Sequence, residues 1–154
     1  MAGDFAALQQ MLELYQHDLS DIWHQDLDHE GRYGYDLSRH RAGDGACAHV
    51  ALQGSAYAGF ALVSPARVTR RDGFWMEQFF VLKRYRGSGL GRALARHVFA
   101  SHPGPWEVGQ MPANTAAQSF WRGVIGELTG GAYSERVISE GPWQGVVQQF
   151  SVPA

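Results

Sequence analysis

The sequence predicts a mixed α/β fold, an α+β arrangement of one sheet covered by helices. Three observations predict it. Helix and strand patterns follow one another as helix, two strands, strand, helix, strand, helix, two strands, with helices between the later strands. A chain of 154 residues suits one domain, residues 1–154, with a single sizeable core. Hydrophobic residues make up 45% and charged residues 18%, a balance that excludes a disordered chain.

The elements follow in order. FAALQQMLELYQHDLSDIW sets Phe5, Leu8, Leu12, Tyr15, Leu19 and Ile22 at helical spacings, so one or two amphipathic helices open the chain. DHEGRYGYDLSRHRAGDG is polar and glycine-containing and reads as loop or short connector. HVALQGSAYAGFALVS gives two strands that turn near QGS. GFWMEQFFVL, after the turn signal RRDG, is an aromatic strand. RYRGSGLGRALARHVF passes from glycines into a helix that stops near SHPGP. WEVGQM is a short strand, and NTAAQSFWRGVIGEL a helix with Asn114 or Thr115 as N-cap. GGAYSERVISEGPWQGVVQQFSV closes the chain as two strands around SEGP, and an edge strand at that end could pair in a homodimer.

Apolar runs are strand-sized, so no membrane span is expected. The first residues carry acids and no basic segment, unlike a signal peptide. The one cysteine, Cys47 in AGDGACAHV, reads as a small buried residue without metal-type partner spacing, and fits a reducing, cytoplasmic setting. The formal charge of −2 hides an asymmetry. Asp4, Glu13, Asp18, Asp21, Asp26, Asp28 and Glu30 fall in the first thirty residues, which hold no Lys or Arg. The rest carries 13 bases against the remaining eight of the 15 acids, so two ligands of opposite sign are conceivable.

The segment from Arg84 to Phe99 places glycines at 87, 89 and 91 between a strand and a helix. Two nucleotide loops fail on spacing. The phosphate-loop pattern lacks its Lys, since Arg92 stands five residues after Gly87. The dinucleotide fingerprint needs a glycine where Arg92 or Leu94 stands. What remains is R-x-x-G-x-G, met by Arg86, Gly89 and Gly91. Glycines let successive backbone N–H groups converge, and the helix tip adds unpaired donors and the positive end of its dipole. With Arg86 and Arg92 supplying charge, flanked by Lys83 and Arg84, a diphosphate is the natural guest. Basic residues do not extend beyond Lys83–Arg96, so no nucleic-acid partner is expected.

MEQFFVLKRYRGSGLGRALA resembles motif A of the GCN5-related N-acetyltransferases, the GNAT superfamily, and PANTAAQSFWR resembles that family's next motif. The resemblance spans roughly residues 45 to 150. It implies a central mixed sheet whose fourth and fifth strands splay, with acetyl-CoA in the gap as co-substrate and an amine as acceptor. By position, Phe79, Phe80 and Val81 would offer backbone groups to the pantetheine arm. Arg86, Gly87, Ser88, Gly89, Leu90, Gly91 and Arg92 would hold the diphosphate, and Asn114 would reach the cofactor from the next helix. Two departures stand out. The family usually begins with a strand, whereas this chain begins almost directly on a helix. Trp121 follows Phe120 where a Tyr commonly protonates the departing thiolate, and an indole N–H is not a usable acid.

Acyl transfer to an amine needs a neutral amine, and a free alkylamine with a pKa near 10 is protonated at pH 7. Glu77 is the candidate base. Alternation would put Trp75, Glu77, Phe79 and Val81 on one face, with the Glu77 pKa raised among aromatics. Glu107 is the second candidate, and Tyr133 a possible replacement acid. His17, His24, His29 and His97 show no metal-ligand pattern, and no metal is expected. Trp23, Tyr33, Tyr35 and Trp143 fall in segments that commonly wall the acceptor site, and with the acidic opening they suit a small cationic amine. The alternative is a CoA-binding sensor of the same fold without turnover, motivated by Trp121.

Overall fold

A computed structural model describes residues 2–154, with side chains from residue 4 onward. The chain opens on helix α1 (Ala2–Asp18), and no strand precedes it among the described residues. The polar segment predicted as a connector contains a five-residue helix, α2 (Ser38–Ala42). Strands β1 (Cys47–Gln53) and β2 (Ala56–Pro65) form the predicted hairpin, followed by β3 (Phe74–Val81). Then come α3 (Leu90–Ser101), β4 (Gly104–Gln110), α4 (Thr115–Thr129), β5 (Ser134–Ile138) and β6 (Gly145–Val152).

The six strands make one mixed sheet in the order β1-β2-β3-β4-β6-β5. The C-terminal strand β6 is therefore interior, and the edge at that end is β5. Every neighbouring pair is antiparallel except β3 and β4, which run parallel. That parallel pair has only two rungs, Phe74↔Trp106 and Trp75↔Glu107, so the strands part beyond Trp75 and leave a gap. Each side of the gap has its own partners: β3 is laddered to β2 over its length, and β4 to β6.

Each face of the sheet has its own apolar core. Leu8, Met11 and Leu12 of α1 pack on Phe60, Leu62 and Phe80. On the other face Leu94, Val98 and Phe99 of α3 and Trp121, Val124 and Ile125 of α4 pack on Ala61, Val63, Met76 and Trp106. In β2 the two faces alternate residue by residue, as the pleat demands. In β3 they do not. Met76 and Phe79 face the same side although they are an odd number of residues apart. A β-bulge explains this: Val63 pairs with Met76 and Leu62 with Gln78, so Glu77 opposes no residue of β2.

Candidate active site

The gap between β3 and β4 is the mouth of a cavity of about 1250 Å³. Its lining gathers Phe79, Phe80 and Val81 of β3, glycines 87, 89 and 91, and Arg92, Asn114 and Trp121. Along β3 from Val81 back to Glu77 the cavity extends about 13 Å. There Glu77 and Trp75 meet Tyr15, Trp23, Tyr35 and Trp143. One concavity thus joins the glycine loop to the predicted aromatic wall. Of that wall only Tyr33 stays outside, at 3.3 Å from the His17 ring.

The loop after β3 starts with a 3-10 turn, Lys83–Tyr85. Gly87 and Gly89 then take φ of 77° and 87°, a left-handed conformation that other residues rarely adopt. No neighbouring atom lies where a Cβ would stand on either one. These glycines therefore answer to backbone shape, and the space above them is free for a guest. The amides of Gly87, Ser88 and Gly89 donate to no protein acceptor among the described residues. The first N–H groups of α3 are unpaired by helix geometry. Ser88 and Leu90 turn away from the cavity into a shallow depression beside Tyr85, with the Ser88 hydroxyl donating to the Tyr85 carbonyl at 2.6 Å. Gly91 is different: a Cβ there would press on the Phe120 ring at 3.4 Å, so it holds α3 against α4.

The arginines differ from the expectation of free charges. Arg86 donates to Asp18 of α1 at 2.6 Å and to the Val81 carbonyl at 2.8 Å, with its guanidinium over the Phe80 ring. Arg92 pairs with Glu127 at 2.7 Å. Both are paired with carboxylates, so the groups of this loop left without a protein partner among the described residues are chiefly backbone amides. Asn114 is the N-cap of α4: its side-chain oxygen accepts from the Ala117 N–H at 3.2 Å, which leaves its NH2 as the group able to meet a ligand. The backbone groups of β3 sort by parity. The Leu82 N–H donates to Ala58, so alternation keeps Phe80 in the ladder with β2 and turns Phe79 and Val81 toward the gap. The Phe80 amide is thus not available to a guest.

Glu77 reaches the cavity, but not from the expected face. The bulge carries it to the α2 side with Trp75, apart from Phe79 and Val81. There its Oε2 lies 2.8 Å from Nε2 of His40, whose side chain is 2% exposed. The contact is an ion-pair distance without a well-directed hydrogen bond, and Nδ1 of His40 has no partner among the described residues. The expected rise in its pKa is corrected. Burial pushes the Glu77 carboxyl up, but His40, with Arg67 and Arg39 behind it, overcomes this and holds it below the ordinary carboxylate value. Glu77 is therefore ionised at neutral pH.

The other candidates have different work. Glu107 is fully buried, and its carboxylate accepts from the N–H groups of Arg67, Val68 and Thr69 at 2.7–2.8 Å and from the Thr69 hydroxyl. It anchors the loop before β3 and has no lone pair directed at the cavity. Tyr133 packs at the rim of the α3–α4 core, away from the cavity. Trp121 is 5% exposed among Phe79, Phe99 and Phe120, a wall and not an acid.

Sequence reading missed the roles of Tyr15 and His40. Tyr15 looks like one more apolar-face position of α1, yet its hydroxyl donates to Gln78 Oε1 and its ring meets Phe60 and Phe80 edge-on. His40 stands in a polar segment without hydrophobic period, and nothing local marks it as buried. Burial, joined by the charge of Glu77 for Tyr35, keeps both Tyr15 and Tyr35 phenols protonated far above neutral pH. Acidity in the opening segment is mostly structural. Glu13 accepts from the Tyr33 and Gly34 amides, and Asp28 from those of Glu30 and Arg32. Only Asp18 and Asp21 of that set line the cavity.

The model of the Acetyltransferase (GNAT) family matches residues 8–124. The chain belongs to that family of acetyl-CoA-dependent N-acetyltransferases. No curated protein matches it at a significant level. Among solved structures, the ribosomal-protein-alanine N-acetyltransferase of Brucella melitensis is similar over 99% of this chain and 96% of its own, with 19% identity and a TM-score of 0.64. The ribosomal-protein-S18-alanine N-acetyltransferase of Escherichia coli is 16% identical over 79% of this chain and 80% of its own, with a TM-score of 0.58. The PaiA N-acetyltransferase of Thermoplasma acidophilum, solved in complex with coenzyme A, is 10% identical over 75% of this chain and 66% of its own, with a TM-score of 0.52. At these identities the likeness is one of fold. The expected splayed sheet is the one observed, with β3 and β4 as the parted strands.

Proposed function

We propose that this enzyme transfers the acetyl group of acetyl-CoA to a primary amine, of a small cationic molecule or of a protein, seated at the aromatic end of the cavity. The observation that carries the reading is the gap. β3 and β4 separate after two rungs, and in the loop that follows β3 the amides of Gly87, Ser88 and Gly89 have no protein acceptor among the described residues. The site fits a diphosphate: open space stands over Gly87 and Gly89, next to the tip of α3. In this reading the amides from Gly87 to Arg92 hold the diphosphate, Asn114 offers its NH2, and the Phe79 and Val81 amides face the pantetheine arm. Trp121 and Phe120 form the floor.

Bound acetyl-CoA supplies an activated thioester, and the residues here supply the rest. A β3 amide at Phe79 or Val81 donates to the acetyl oxygen as charge develops on it. Glu77, ionised and hydrogen-bonded to little else, takes the proton of the incoming ammonium, directly or through water. Trp23, Tyr35 and Trp143 offer ring faces to a cation, and Asp21 adds charge at the rim. A protein amine is supported by the two similar structures described as ribosomal-protein-alanine acetyltransferases. The single free cysteine supports a reducing compartment such as the cytoplasm, and no described helix is long and apolar enough to cross a membrane.

Calorimetry with acetyl-CoA tests the cofactor site. Binding by the wild type that is abolished in Gly89→Glu is the expected result, and equal binding by both would refute the placement. A thiol-release assay across small amines and N-terminal peptides then identifies the acceptor class.

A further inference from the structure

At the end of α3 remote from the glycine loop, three metal-ligating atoms converge. Cys47 and His49 stand two apart on β1, so the pleat puts both side chains on one face. His102, the C-cap of α3, meets them there. Cys47 Sγ lies 3.3 Å from Nε2 of His49 and 3.5 Å from Nε2 of His102, and the two Nε2 atoms are 3.1 Å apart. Cys47 is thus not the isolated buried residue that its sequence context suggests, because its second imidazole comes from 55 positions away.

The triangle has the size of a coordination face. Around a tetrahedral ion with metal–sulfur about 2.3 Å and metal–nitrogen about 2.0–2.1 Å, neighbouring ligand atoms lie about 3.3–3.6 Å apart. The three measured edges fall within a few tenths of an ångström of that. These side chains bond only to one another among the described residues. All three are half-buried, shielded yet reachable from solvent. The Phe74 ring, 5.0 Å from that of His102, and the His97 ring, 5.6 Å from that of His49, limit how far the imidazoles can turn.

We propose that Cys47, His49 and His102 form a binding site for one divalent transition-metal ion of the Zn2+ class, with water in the fourth position. One thiolate and two imidazoles suit a borderline-soft ion and exclude Mg2+ and Ca2+, which demand oxygen. The site is separate from the acetyl-transfer cavity, whose lining contains none of the three. The length of α3, about 18 Å, lies between them. An ion here would tie the edge strand β1 to the end of α3, so its first effect is on stability and not on transfer.

The test uses the full chain, freed of metal by chelation and titrated with Zn2+ by calorimetry and Co2+ by absorption. One ion per chain is expected, with a thiolate-to-Co2+ charge-transfer band, tetrahedral d–d bands and a Zn2+-dependent rise in Tm. Cys47→Ser should abolish the charge-transfer band. Cys47→Ser and His102→Gln should each weaken Zn2+ by more than the roughly 10–100-fold that loss of an outer-shell partner costs. Acetyl-CoA binding serves as the check that both variants are folded. Were either to misfold, thiol alkylation of the wild type decides, since bound Zn2+ should slow labelling of Cys47 about tenfold or more. Absence of Zn2+ heat and of any Tm shift, equal Zn2+ affinity in both folded variants, or labelling indifferent to Zn2+ would each overturn the site.

Discussion

Glu77 acquires its chemistry from a residue that the chain delivers from elsewhere. Burial alone would push its carboxyl up and make it a stronger base. His40 from α2 reverses that and holds the carboxyl below its ordinary value. Glu77→Gln should lower kcat/KM for the amine by about a hundredfold or more, with acetyl-CoA binding unchanged by calorimetry. Linkage fixes the sign for stability. A carboxyl whose value is depressed by folding contributes fully above its ordinary value of 4.5, and the contribution is lost as pH falls through the folded value. Wild type should therefore melt above Glu77→Gln at neutral pH, and the gap should narrow as pH falls below 4.5. His40→Ala should move the acid limb of the activity profile to higher pH, because burial is then opposed only by Arg67 and Arg39. Glu107 shows the contrast: Glu107→Gln should cost about 2–3 kcal/mol of stability by chemical denaturation and leave the acetyl-CoA KM in place.

Elements decide where backbone groups point. The loop between β3 and α3 holds two left-handed glycines, and Gly89→Ala should introduce strain of about 1–2 kcal/mol and weaken acetyl-CoA measurably in calorimetry. Asn114→Ala should cost about 1 kcal/mol through the lost cap of α4, read as a lowered Tm. Both sites are legible from sequence, because a glycine ladder between strand and helix and an Asn before a helical period carry their own local signals. The hairpin of β1 and β2 and the bounds of β3 and α3 are legible for the same reason, whereas β4 begins two residues before WEVGQM, at Gly104. What is not legible is tertiary. The bulge at Glu77 leaves no mark in WMEQFF, since it follows from how β2 pairs, and strict alternation therefore assigns the residue to the wrong face. The pairing of Arg86 with Asp18 and the burial of His40 likewise depend on α1 and α2 folding onto the sheet. Glu107, in a strand one position from Trp106, gives no hint that three amides of a preceding loop close on it.

The whole molecule is two half-sheets, β1-β2-β3 and β4-β6-β5, joined by two rungs. Hydrogen exchange should follow this layout. Amides of β2 and of the β4–β6 ladder should be slowest, those of the edge strand β5 faster, and the Phe79 and Val81 amides should slow markedly when acetyl-CoA is added. Side chains of both helices span the divide: Phe99 of α3 meets Trp106 of β4 and Phe150 of β6, while Phe120 and Trp121 of α4 meet Phe79 of β3. Beyond Trp75 no backbone hydrogen bonds among the described residues join the halves, which are held there by the packing of α3 and α4 on one face. Whatever lodges between the halves supplies the missing cross-links, so an enzyme loaded with its donor should be a stiffer object than an empty one, slower to be cut by proteases and sharper in its melting.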